Sequence, residues 1–400
     1  MSTQGDTPSR GGSAFWNDPK FRSMFFQVLV VTLVVGFISY LWLNTTANLE
    51  RQGIASGFDF LNSTAGFGII TTLIEYSEES TYGRAFLVGL LNTILISILG
   101  IIFATIIGFI IGVARLSSNW LISRMATVYI ETLRNIPLLL QIFFWYFAVL
   151  RSVPGPRQSY TIGESFFINN RGIYSPKPIF GDGFEFIAIG LVVAIAGAIG
   201  ISRWAHKRQE ATGEQFPVFL TSLGLFVGLP LLGLILAILV YGGIPLTFEY
   251  PVLKGFNFKG GLVMIPEFVA LLLALSAYTA TFIAEIVRAG ILAVSHGQTE
   301  AAHSLGLRHG PTLRLVIIPQ AMRVIIPPLT SQYLNLTKNS SLAAAIAYPE
   351  LVSVFAGTVL NQTGQAVEVI GITMAIYLCL SLSISAFMNW YNKKMALVER

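Results

Sequence analysis

Apolar runs recur along this chain at lengths suited to a lipid bilayer rather than to a water-soluble core. Eight segments stand out, near 24–43, 87–113, 127–150, 185–202, 217–241, 268–288, 324–346 and 368–390. Each is close to the ~20 residues a helix needs to cross a ~30 Å hydrocarbon layer. The pattern predicts an all-α integral membrane protein, a polytopic bundle of about eight transmembrane helices. Residues 1–23 are polar and rich in Gly and Ser, and read as a disordered N-terminal stretch. The run 24–43 is too long for the apolar centre of a secretory signal and lacks a cleavage site, so it reads as an uncleaved first helix. It opens an extra segment, 24–85, ahead of a main membrane domain at 86–392; residues 393–400 form a polar tail. Within the main domain, 151–260 reads as an insertion of a long loop and two further spans.

Composition agrees. The 400 residues are 54% hydrophobic and only 11% charged, with a mean hydropathy of +0.69. A soluble domain carries about 25% charged residues. The net charge of +5 is spread through loops and is not a nucleic-acid footprint. Its distribution orients the chain. Arg10, Lys20, Arg22, Arg115, Arg124, Arg203, Lys207, Arg208, Arg308, Arg314, Arg323, Lys393, Lys394 and Arg400 fall on one side, and fewer basic residues, over longer loops, on the other. The excess predicts both termini and residues 295–320 in the cytoplasm, with loops 44–85 and 151–184 outside. Glu75, Glu78 and Glu79 read as a solvated acidic face. Cys379 is the only cysteine, which excludes an intrachain disulfide. No P-loop occurs, so this chain is not expected to hydrolyse ATP itself. His296, His303 and His309 lie close in sequence, but no second ligand set stands beside them and no metal is expected.

The polar stretch between the sixth and seventh runs has an internal design. Glu285-Ile-Val-Arg288 leads to Gly297-Gln298-Thr299-Glu300-Ala301-Ala302, then Leu305-Gly306-Leu307, and apolar sequence resumes at Ile317-Ile318-Pro319. This predicts a short helix on either side of a Gly turn. Gly297 and Gly306 are expected at left-handed or crowded backbone positions. Glu300 suits the first turn of a helix, near the positive end of its dipole. Ala301 and Ala302 leave little side chain above that helix, so another protein's surface can approach closely. The stretch reads as a small docking element at the membrane face.

Glu300-Ala301-Ala302, then Gly306, then Val316-Ile317-Ile318-Pro319 resembles the EAA loop of ABC importer permeases. Pro319-Gln320-Ala321, Pro327-Pro328 and Lys338-Asn339-Ser340-Ser341-Leu342 narrow the resemblance to the polar amino-acid permeases, histidine, glutamine or general L-amino-acid type, in an extended form. Asn339 and Ser340 depart from that family's usual Asp-Thr. The resemblance covers roughly 86–392 apart from the insertion. It implies the MetI-like core of a type I importer, a non-catalytic permease subunit of the bacterial inner membrane. The implied partners are two ATPase subunits that use ATP and Mg, a second permease chain of paralogous type and a periplasmic amino-acid-binding protein. Gly297, Glu300, Ala301, Ala302, Gly306 and Pro319 would then couple the permease to its ATPase. An ion-coupled secondary transporter would instead predict two halves of inverted topology, and a permease for another small solute stays open.

Ionisable groups inside spans are costly and mark candidate pathways. Pro327 and Pro328 suit the first turn of a helix, which would place Lys338 at mid-membrane depth. Lys338, with Asn339 and Ser340, either lines a translocation path or packs between helices. Arg134, Asn135 and Gln141 form a second pathway set around Pro137. Glu131 and Arg134 lie one turn apart, as do Glu285 and Arg288, and each pair is expected to neutralise itself within its helix.

Overall fold

The computed structural model describes residues 19–51, 53 and 56–395. In chain order it holds α1 (Pro19–Arg51), a 3-10 turn (Asp59–Asn62), α2 (Tyr82–Arg115), α3 (Trp120–Asn135) and α4 (Leu138–Phe143), which runs on as a π-helical segment to Leu150. Four short strands follow: β1 (Tyr160–Ile162), β2 (Phe166–Asn169), β3 (Gly172–Ser175) and β4 (Lys177–Phe180). Then come α5 (Phe184–Thr212), α6 (Val218–Tyr241), β5 (Leu246–Glu249), β6 (Val252–Lys254), β7 (Asn257–Lys259) and β8 (Leu262–Met264). The last third is α7 (Pro266–Leu292), α8 (His296–Ser304), α9 (His309–Thr312), a π-helical turn (Leu313–Ile317) and α10 (Ile318–Asn339). A 3-10 segment (Ser340–Ile346), a π-helical segment (Val352–Val359), α11 (Leu360–Thr363) and α12 (Ala366–Met395) complete it. Among the described residues seven helices are long and apolar enough to cross a membrane, or eight if the bent pair α3–α4 counts as one span. The expected disordered stretch 1–23 lies outside the described residues except for 19–23, which are helical, and the polar tail is described, as helix, only to 395.

The predicted span 127–150 is not one straight helix. It breaks by 105° between α3 and α4. Ile136 and Pro137 are extended, with ψ of 128° and 134°. A prolyl ring offers no N–H to carry the helical ladder across that point. The pattern does not predict the eight strands, three or four residues each; seven lie in the 151–260 insertion and β8 just beyond it, and they order its loops into one four-stranded sheet, β1-β2-β3-β8, and two ribbons, β4-β5 and β6-β7.

The chain forms two compact units. In the larger, Ile94–Tyr348 with Ser385–Arg400, α7 is the packing centre. Glycines let its neighbours approach: a Cβ at Gly108 or Gly112 of α2 would sit 2.6 Å from Ile283 or 2.7 Å from the Ala284 carbonyl, and one at Gly290 of α7 would sit 2.3 Å from Ile325 of α10. Polar side chains join the same helices, as transmembrane packing commonly uses. Thr105 and Tyr333 share a hydrogen bond of 2.9 Å, and the Tyr129 hydroxyl donates to the Ala277 carbonyl at 2.9 Å. The α5–α6 hairpin closes on itself through Gly190 and Gly233, where a Cβ would fall 2.6 Å from the Leu229 carbonyl and 2.5 Å from the Phe186 carbonyl.

In the smaller unit, segment 56–81 does not stand ahead of the main domain. Phe60 packs in one core with Leu351, Phe355, Val359 and Val369. Asn92 donates to the carbonyls of Thr71 (2.9 Å) and Pro349 (2.8 Å), and the Leu351 amide donates to the Thr93 hydroxyl. Glu350, fully buried, accepts from the Val352 and Ser353 amides, both at 2.8 Å, and from the Tyr377 hydroxyl at 3.1 Å.

Candidate functional site

The docking element is a helix with a sharply closed end. Ser295, with extended backbone, precedes α8, and Gly306 at φ +76° follows it. The Leu307 amide donates to the Ala302 carbonyl and the Gly306 amide to the His303 carbonyl. This is the Schellman closure, which needs a left-handed residue at the Gly306 position. Gly297 differs from expectation. It lies inside the first turn of α8 with right-handed geometry, and a Cβ there would meet only Ser295, at 3.8 Å, so neither handedness nor crowding explains it. The alanines divide: Ala302 is buried under the helix and Ala301 faces out. Glu300 is exposed and its Oε1 lies 3.1 Å from His296 Nδ1, one turn earlier. Gln320 of α10 donates to Gln298 of α8 at 3.1 Å, which ties the docking helix to the start of α10 beside Pro319. His303 Nδ1 pairs with the Leu307 carbonyl, and among the described residues no cluster of three or more His, Cys, Asp or Glu could hold a metal.

Seven residues before the end of α7 lies an ionic node. Glu285 binds Arg115 of α2 through one carboxylate oxygen and Arg288 through the other, at 3.1 Å. Arg115 also reaches Glu131 of α3, at 3.7 Å. The expected Glu285–Arg288 pair is therefore present, as part of something larger. The expected Glu131–Arg134 pair is not among the ion pairs of the described residues. Glu131 turns to Arg115, and Arg134 stacks over the Phe282 ring at 5.4 Å, a cation–π contact. Arg115 was not singled out in the sequence, because nothing local marks a basic residue in a last helical turn as the hub of three helices.

The candidate pathway residues also divide. A cavity of about 350 Å³ is lined by Tyr278, Thr279 and Phe282 of α7 and by Gln332, Asn335 and Asn339 of α10. That is at the lower end of small-molecule pockets, about 300–1,000 Å³. Of the proposed residues, Asn339 lines it. Ser340 is buried with its hydroxyl donating to the Thr337 carbonyl at 2.7 Å. Gln141, also buried, donates to the carbonyls of Leu133 (2.7 Å) and Ile136 (2.9 Å), so it staples the α3–α4 break rather than facing a path. Asn135 donates to the Glu131 carbonyl at 2.7 Å. Lys338 is exposed and absent from the cavity wall. Its place along the helix also differs from expectation. Pro327 and Pro328 lie inside α10, which begins at Ile318, so Lys338 sits in the last turn, roughly 30 Å along the helix. The signal for the true lining was in the sequence: Gln332, Asn335 and Asn339 recur at helical spacing and share one face.

The family model for binding-protein-dependent transport system inner membrane components matches residues 104–397. The chain is 56% identical to the general L-amino acid transport system permease protein AapQ of Rhizobium johnstonii, over 96% of this chain and 94% of that protein. It is 44% identical to the glutamate/glutamine/aspartate/asparagine transport system permease protein BztB of Rhodobacter capsulatus, over the whole of both chains. A solved amino acid ABC transporter structure aligns with 78% of this chain and 95% of its own, at 22% identity and a TM-score of 0.46.

Proposed function

This chain belongs to the family of binding-protein-dependent transport system inner membrane components, and we propose that it is the permease subunit through which an ATP-driven importer moves amino acids. It is a multi-pass transport component, not an enzyme, and works with an ATPase and a substrate-binding protein. Its substrates are polar or general L-amino acids, a reading supported by the relatives that share 56% and 44% of its residues. The observation that carries the mechanism is the placement of α8. It is closed by Gly306, follows α7 and its ionic node, and is tied to α10 by Gln298 and Gln320. α7 and α10 are the two helices that line the cavity.

ATP and Mg bound by two ATPase subunits drive the cycle; α8 docks on one of them through Glu300 and Ala301. Displacing α8 shifts α7 and α10 together and exposes the cavity alternately to the two membrane faces. Tyr278, Thr279, Gln332, Asn335 and Asn339 offer hydroxyl and amide partners to a passing amino acid, and Arg134 over Phe282 offers a fixed cation. One chain supplies half a pathway, so a paralogous permease completes it. Both termini and α8 face the cytoplasm, which the excess of basic residues in the short loops supports.

The test is Gly306→Val in the assembled complex, reconstituted in proteoliposomes with its binding protein. A β-branched residue resists φ +76°. Membrane insertion should persist while amino-acid uptake and binding-protein-stimulated ATP hydrolysis fall together, by tenfold or more. Wild-type uptake at matched abundance would remove α8 from the coupling path.

A further inference from the structure

The smaller unit holds a groove of its own. It measures about 260 Å³ and is walled by Trp42 of α1, Phe58 of the following segment, and Val367, Glu368, Gly371 and Ala375 of α12. Glu368 is the anomaly. The residue is 8% exposed, and its Oε1 accepts the Gly57 amide at 2.8 Å. Its Oε2 is buried and has no hydrogen-bond partner among the described residues. A carboxylate oxygen left in that state costs desolvation that only a donor or a cation offsets.

The rest of the groove says what donor fits. Trp42 and Phe58, both more than half exposed, bring two aromatic side chains to the rim beside the carboxylate, a setting that attracts ammonium groups. Below Glu368 the wall turns apolar. Val367, Gly371 and Ala375 succeed one another at four-residue steps, a straight strip about 12 Å long down the helix. Gly371 has open space above it, with nothing within 4 Å of where a Cβ would stand. Glu368 is in the first turn of α12 and Trp42 lies nine residues before the end of α1, so the polar mouth sits at headgroup level and the strip runs into the hydrocarbon. A whole helix, about 10–12 Å across with its side chains, is too wide for such a space. A single hydrocarbon chain is not.

We propose that this groove binds a phospholipid with a primary ammonium headgroup: the ammonium donates to Glu368 Oε2 beneath Trp42 and Phe58, and one acyl chain lies along Val367, Gly371 and Ala375. A soluble amine would share the carboxylate but gain nothing from the strip. The ligand therefore comes from the membrane, and phosphatidylethanolamine is the probe.

The experiment uses the whole transporter complex in nanodiscs containing equal phosphatidylethanolamine and phosphatidylglycerol, with lipids retained after detergent extraction counted by native mass spectrometry. Glu368→Gln keeps the shape and an acceptor for the Gly57 amide while removing the charge. Gly371→Leu fills the strip and leaves the carboxylate alone, so the test survives if the first variant fails to assemble. Wild-type complex should retain phosphatidylethanolamine preferentially. The preference should fall about tenfold in Glu368→Gln, the loss of one charge-assisted hydrogen bond, and retention of either lipid should fall in Gly371→Leu. An unchanged lipid ratio in both variants overturns the proposal. So does displacement of the lipid by soluble phosphoethanolamine, which would identify a free amine. A photo-crosslink from position 371 to a protein chain would overturn it in favour of a subunit contact.

Discussion

α7 and the α5–α6 hairpin belong to the same unit and meet their surroundings in opposite ways. In α7 more than half of the membrane-spanning window is buried in protein (56%), against 6% and 11% for α5 and α6. Yet α7 carries Glu285, Arg288, Tyr278 and Thr279, while α6 from Val218 to Tyr241 contains no ionisable side chain before its terminal Tyr. In water this order would be reversed. Where the solvent is hydrocarbon, apolar side chains gain little by leaving it, and the protein interior is where polar groups are tolerated. Close packing follows a different rule and is common to both: glycines set the approach in the hairpin as they do around α7.

The comparison breaks first at Glu285. Glu285→Ala strands Arg115 and Arg288 in the node and should cost about 1–3 kcal/mol, between the cost of opening an exposed and a buried ion pair, because all three side chains are partly solvated. Chemical denaturation of the detergent-solubilised chain would measure it, and a loss under 1 kcal/mol would mean that α7 is held by packing alone.

Glu350 extends the contrast to the smaller unit, in the segment between the spans ending at Ile346 and beginning at Ala366. Burial pushes its carboxyl up to about 7, while the hydrogen bonds from Val352, Ser353 and Tyr377 pull the other way. A carboxyl raised in the folded state binds its proton more tightly there than in the unfolded chain. The stability it contributes is complete below the ordinary carboxylate range and is lost as pH climbs through about 7. Melting should therefore occur at higher temperature at pH 5 than at pH 8, by the equivalent of up to about 3 kcal/mol. Glu350→Gln should flatten that difference; a pH dependence as steep as wild type would assign it to another group.

Part of this was legible in advance. The Gly306 turn could be read because a left-handed closure leaves a residue-level mark, and so could the spans, because bilayer thickness fixes their length. The position of Lys338 within its helix could not be read, because a Pro-Pro pair that suits a helix's first turn is also tolerated inside a membrane helix, where neighbouring groups re-satisfy the freed carbonyls. The Arg115 hub could not be read either: it brings together residues more than 150 positions apart, and no local pattern encodes that. Asn339 reads as lining from the sequence, and its cavity partners Gln332 and Asn335, seven and four residues earlier on the same helical face, carry the same signal.

Two smaller effects sharpen the hairpin side. Gly233→Val drives a side chain into the Phe186 carbonyl and should destabilise by about 2 kcal/mol. Gly224→Val, with open space above it, should be close to neutral. Equal melting temperatures for the two would show that the hairpin is not held by glycine contact. Smallest of all is Glu214→Gln. Its 2.7 Å pair with Arg208 is exposed on both sides, so the change should stay within about 0.5 kcal/mol and vanish in high salt.

The two prolines inside α10 give the helix an uneven stiffness. Neither Pro327 nor Pro328 has an N–H, so the carbonyls one turn earlier, on Arg323 and Val324, take no part in the intrahelical ladder. Bending elsewhere along α10 must stretch hydrogen bonds; bending here stretches none. The helix is thus a rod with a compliant joint near its middle, clamped at one end to Gln298 and presenting Asn335 and Asn339 to the cavity at the other. A displacement at the docking end arrives at the cavity as a change of angle more than as a translation. Which residues face the substrate would then depend on how far the joint has flexed.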